Sequence, residues 1–102
     1  MNTIGTFKQD GERYTGTINT LKYRGPATIE PIAEKKSANA PDFQFLAGGQ
    51  RTEIGAARKK VAESGTEYLS VRLDEPSFPA TVFCRLVRFE GEEVHRLIWS
   101  RN

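Results

Sequence analysis

Cysteine, histidine, methionine and tryptophan each occur once in the 102 residues. A lone Cys84 excludes an internal disulfide framework and any zinc site built on several thiolates. With His95 as the only imidazole, a metal centre would rest on carboxylates, and no ligand spacing suggests one. No apolar run approaches the roughly 20 residues of a membrane-spanning helix. No basic stretch followed by an apolar segment opens the chain. A charge excess of one sign is also missing: 15 Lys and Arg against 13 Asp and Glu leave +2, far from the lopsided count of a dedicated duplex-DNA binder. These absences leave one soluble, cytoplasmic domain over residues 1–102 as the expectation, without cofactor or metal. A chain of this length can bury roughly 60–70% of its unfolded surface, enough for a core without staples.

Period-two alternation is what the sequence does have. Tyr68 to Leu73 is apolar at every second position, as a half-buried strand requires. Thr81–Phe89 and Val94–Trp99 form a hairpin across Glu90-Gly91-Glu92-Glu93, and Thr3–Lys8 and Arg13–Thr20 form another across an Asp-Gly turn. Ala27–Ile32 and Phe43–Leu46 are shorter candidates. About seven mostly antiparallel strands predict an all-β domain, a small barrel or sandwich. Residues 34–41 are a loop by composition. In residues 74–79 two prolines force an extended crossover, with Phe78 between them as an anchor over the core.

Residues 52–64 read two ways. As a short helix, Thr52 caps the N-terminus, Ile54, Ala57 and Val61 share a face, and Gly65 stops it. As a strand, Ile54–Val61 turns through residues 62–65 into the Tyr68 strand. An internal echo favours the strand: Ile4-Gly5 precedes Gly11 and Tyr14 as Ile54-Gly55 precedes Gly65 and Tyr68. Two repeated hairpin units follow from that echo.

Several strings in order carry a resemblance: Ile4-Gly5-Thr6-Phe7, Tyr14-Thr15-Gly16-Thr17-Ile18, Asn39-Ala40-Pro41-Asp42-Phe43, Glu53-Ile54-Gly55-Ala56-Ala57, Tyr68-Leu69-Ser70-Val71 and Leu97-Ile98-Trp99-Ser100-Arg101. From Ile4 to Arg101 the chain resembles domain of unknown function family 736, small bacterial proteins often borne on plasmids and other mobile elements. The resemblance implies that setting and brings no catalytic activity, cofactor or site residue with it. Relatives typically carry a tryptophan where Arg58 stands here.

Catalytic constellations are thin. Cys84 and His95 fall on facing strands of the last hairpin with side chains on one face, as a nucleophile and base would need. The same face carries Val82, Leu86, Leu97 and Trp99, which makes Cys84 a small buried hydrophobe and leaves His95 at the surface beside Arg88. Ala47-Gly48-Gly49 lacks the Lys-Ser/Thr of a phosphate loop. The expectation is a non-catalytic domain.

The other face of that hairpin interleaves Phe83, Arg85, Phe89 and Arg96, and Arg58-Lys59-Lys60 adds a basic run. Rings that stack on bases beside cations that track phosphates are the means by which proteins hold single strands. The competing reading buries this face as well, with arginine stems covering apolar surface at the rim. The expected function is nucleic-acid binding, single-stranded rather than duplex, through Arg58, Lys59, Lys60, Phe83, Arg85, Phe89 and Arg96. The alternative is a protein-interaction module acting on host-defence or conjugative-transfer machinery. It would use a protein partner or second copy docked on an edge strand or on Trp99 and Arg101.

Overall fold

A computed structural model describes residues 2–20, 23–34, 37, 38, 40–74 and 80–99. Eight strands follow one another: β1 (Asn2–Asp10), β2 (Arg13–Asn19), β3 (Arg24–Pro31), β4 (Phe43–Ala47), β5 (Thr52–Val61), β6 (Glu67–Leu73), β7 (Val82–Val87) and β8 (His95–Trp99). Each pairs antiparallel with its chain neighbours, and β1 pairs β8 to close a barrel. The barrel alternative is therefore the observed one. Residues 52–64 supply the eighth strand, and no helix forms among the described residues. The helical reading placed Val61 on a buried face. In β5 it is 65% exposed at the hairpin end, while Ile54 and Ala57 enter the core. Closure leaves no free strand edge among the described residues, so docking by strand addition has no template in them.

Alternation sorts the side chains. Phe7, Ile18, Ile29, Phe45, Val71, Leu73, Leu86 and Leu97 point inward and are almost fully buried, each contributing about 1.5–3 kcal/mol. Phe7 and Phe45 meet edge to face across the centre, with centroids 5.7 Å apart. An eight-stranded barrel is just wide enough for such filling, so the interior is a core.

The Ile-Gly echo is structural. Thr3 pairs Ile98 and Gly5 pairs Leu97, leaving Ile4 as the extra residue of a bulge. Glu53 pairs Leu46 and Gly55 pairs Phe45, leaving Ile54 in the same role. A bulge increases local twist and helps to curl a sheet. Each following glycine then lies against a neighbouring backbone: a Cβ on Gly5 would be 2.7 Å from the Thr17 carbonyl oxygen, and one on Gly55 would collide with that of Arg72. The glycine–tyrosine half of the echo does not hold. Tyr14 packs against the core from inside, whereas Tyr68 faces outward under Arg85.

The barrel ends differ. The end that carries the chain start of β1 and the finish of β8 is filled by half-buried Ile4, Tyr23, Val82 and Trp99. The end carrying the β1–β2 and β5–β6 hairpins opens into a cleft of about 1010 Å³. Phe78 and Arg101 lie outside the described residues.

Candidate nucleic-acid interface

The outer sheet of β5–β8 brings most of the expected residues together. Register places Arg58 opposite Ser70, Ser70 opposite Arg85, and Arg85 opposite Ile98. This row crosses four strands. One step along, Arg72 lies opposite Phe83. In the other direction Lys60 pairs Tyr68. Phe83 and Phe89 are 46% and 47% exposed, so these rings are not sealed inside the barrel. The reading that buries this face fails for both.

Guanidinium groups lie over rings along the same surface. The Arg85 guanidinium carbon is 5.3 Å from the Tyr68 ring centre, and that of Arg96 is 5.7 Å from the Phe89 ring centre. Phe83 lies on β7, which ends at Val87, two residues before Phe89.

Charges are distributed unevenly around the wall. On the β1–β4 side cations meet carboxylates: Arg13 contacts Asp10 at 3.5 Å and Glu30 at 4.0 Å, and Arg51 contacts Glu30 at 2.6 Å. The outward positions of β5–β7 carry Arg58, which has a partner of its own, with Lys60, Arg72 and Arg85, and Glu53 stands at the far end of β5. Arg58 is exposed on this outer surface rather than in the core.

Two expected residues stand differently. Arg96 donates to both oxygens of Glu92, from Nε at 3.0 Å and Nη2 at 2.7 Å. That two-point contact holds the Glu92 carboxyl below its ordinary value and largely cancels the positive charge of Arg96. Arg96 thus acts as a brace between Glu92 and Phe89. Lys59 leaves the track altogether, because strand alternation sends it to the opposite side from Arg58 and Lys60. It pairs Leu69, its ammonium lies 5.8 Å from the Phe43 ring centre, and it lines the open cleft. Tyr68 and Arg72 belong to the outer surface although the sequence reading did not single them out. Their signal was the inward alternation of Leu69, Val71 and Leu73.

The Cys84–His95 pairing dissolves in register. Cys84 lies opposite Trp99, four positions along β8 from His95. Burial pushes the Cys84 thiol up to about 12, where no thiolate forms near neutrality. His95 is half-buried at the open cleft: its ring packs edge to face on Tyr14 at 5.0 Å, and burial, then Arg88, holds its pKa below the ordinary value. No group of three or more His, Cys, Asp or Glu side chains could hold a metal among the described residues.

No curated protein and no solved structure matches the chain. One family model does, over residues 3–102, and its description is "Protein of unknown function (DUF736)". With essentially its whole length matched, the chain belongs to that family.

Proposed function

We propose that the outer surface of β5–β8 binds single-stranded nucleic acid. Phe83, Phe89 and Tyr68 offer stacking surfaces, and Arg58, Lys60, Arg72 and Arg85 contact phosphates. The observation that carries this reading is the exposure of Phe83, 46%, on the sheet surface it shares with Arg72 and Arg85, and of Phe89, 47%, two residues beyond β7 beside Arg96. An exposed phenylalanine gains little in water and gains about 1–3 kcal/mol when a base stacks on it. Guanidinium groups spaced two strands apart, about 10 Å, follow a backbone laid across the strands. A role on a bacterial mobile element is part of the same proposal.

Titration of labelled single-stranded and duplex oligonucleotides at several salt concentrations tests it. Three to four phosphate contacts give a log–log salt slope of about −2 to −3 for single strands. Phe83→Ala should weaken binding about five- to hundredfold, and Arg85→Ala should flatten the slope by about 0.7. Glu92→Ala should release the Arg96 guanidinium and steepen the slope by a similar amount. Absence of binding at low salt, or unchanged affinity in both Phe83→Ala and Arg85→Ala, overturns the proposal. Nuclease-resistant capture of one protein through the same rings would then favour the interaction-module reading.

A further inference from the structure

We infer that the open mouth of the barrel binds a single nucleotide, its base against Tyr14 and His95 and its phosphate toward Lys59 and Arg88. The floor is apolar, made by Leu69 and Leu86 at 5% and 1% exposure. Above it stand three rings in edge-to-face contact: Tyr14 with Phe43 at 6.0 Å, and Tyr14 with His95 at 5.0 Å. Tyr14 and His95 are only half-buried and line the cleft. A phenol and an imidazole are thereby presented to the cleft.

The lip is charged and partly fixed. Asp42 donates its amide to the Ala57 carbonyl at 3.0 Å, and its carboxylate accepts the Lys59 amide at 2.9 Å. The backbone under Lys59 is thereby held in place. Arg88 donates to the Glu92 carbonyl at 3.1 Å, while Glu67 stands near enough to Tyr14 to raise its pKa after burial has done so. A purely apolar ligand would desolvate these groups without replacing their hydrogen bonds. A bare anion would leave the aromatic floor unused. A flat ring with donors and acceptors, joined to a phosphate, uses both: the ring meets Tyr14 and His95, an exocyclic amine reaches the Glu67 carboxylate, and the phosphate meets the two cations. The cleft, about 1010 Å³, has room for it.

Two sources share this chemistry, a free mononucleotide and the end nucleotide of a bound strand; the second rests on the outer-surface reading. Lys60 and Tyr68 pair on the outer sheet and also line the cleft, so the two surfaces join at that lip. The test follows backbone amide signals of the full chain in titrations with AMP, CMP and a single-stranded octanucleotide. The expected result is saturable movement of Gly11, Lys59 and Thr66 with a mononucleotide. Lys59→Ala should weaken it about tenfold, the loss of one charge-assisted contact. Tyr14→Phe, which keeps the ring, should weaken it several-fold, and Gly49→Ala, at a position that does not line the cleft, should leave it unchanged. Movement of the mouth and the outer sheet together with the octanucleotide identifies the strand end as the ligand, and movement of the mouth with mononucleotides alone identifies the free nucleotide. The inference is overturned if none of the three ligands moves the mouth signals at about 10 mM, where even weak sites fill. It is equally overturned if Lys59→Ala and Tyr14→Phe bind as well as the parent. Signals of Phe83 and Arg85 judge the outer surface separately.

Discussion

Replacing Gly16 by alanine tests the closest approach in the barrel wall. A Cβ at that position would run into the Thr6 carbonyl oxygen and come within 2.7 Å of the Phe7 Cα, both backbone atoms of β1. Gly16 pairs directly with Phe7, and β1 is tied on its other side to β8. A flexible side chain could swing aside, but a strand in a closed ring moves only by stretching hydrogen bonds on both flanks. Overpacking of this kind costs about 3 kcal/mol, the upper part of the usual range. Gly49→Ala is the control, since nothing lies within 4 Å of the added methyl. There the reduced freedom of the unfolded chain stabilises by about 0.4–1 kcal/mol. The two variants should therefore differ by roughly 3.5–4 kcal/mol, about 2.5 M in urea midpoint at an m-value near 1.5 kcal/mol/M. Equilibrium urea unfolding followed by Trp99 fluorescence and circular dichroism measures both. Midpoints within about 0.3 M of each other, a difference below roughly 0.5 kcal/mol, would mean that β1 and β2 do not meet in the register described.

Further outcomes follow from the buried titratable groups. Cys84, with its thiol pushed up to about 12 by burial, should resist a thiol reagent in the native state and react once the chain is unfolded. Rapid native-state labelling would contradict its inward position. His95 is held below its ordinary 6.5 by burial and then Arg88. The unfolded chain therefore takes up that proton first, and stability, complete above pH 6.5, declines as pH falls below it. Tyr14 is held above its ordinary 10.0 by burial and then Glu67, so the unfolded chain ionises first. Stability is then complete below pH 10.0 and declines above it. Urea midpoints across this range should show a plateau. His95→Leu should remove the acid-side decline near pH 6, and a parent midpoint that rises on acidification there would refute the burial of His95.

Strand positions were legible because one buried side imposes a two-residue period, and Leu69, Val71 and Leu73 obey it through β6. The Ile-Gly echo was legible for a similar local reason: a bulge needs one extra residue and a glycine where the next backbone comes close. The tyrosine echo misled because the two hairpin loops differ in length. Residues 11 and 12 join β1 to β2, while residues 62–66 join β5 to β6. An odd difference of this kind reverses which side an equally spaced residue meets, so Tyr14 turns in and Tyr68 turns out. The cleft was not legible at all, because its lining comes from strand ends brought together only by closure of the ring.

Closure also limits where any ligand can be recognised. With every strand bonded on both sides, backbone groups in the wall have their partners, and recognition falls to outward side chains or to an end of the barrel. The filled end offers mainly packed apolar groups, Ile4, Tyr23, Val82 and Trp99. The cation run at residues 58–60 then takes on a different meaning from the one its adjacency suggested. Alternation splits it, with Arg58 and Lys60 on the outer sheet and Lys59 over the mouth. Three consecutive cations in a loop would form one diffuse patch, whereas on a strand at the barrel lip they serve two surfaces that meet at Lys60 and Tyr68. Lys59→Ala and Arg58→Ala should consequently separate on a mononucleotide: the first lowers its affinity and the second does not, and equal effects of both on that ligand would contradict the division of the run between two surfaces.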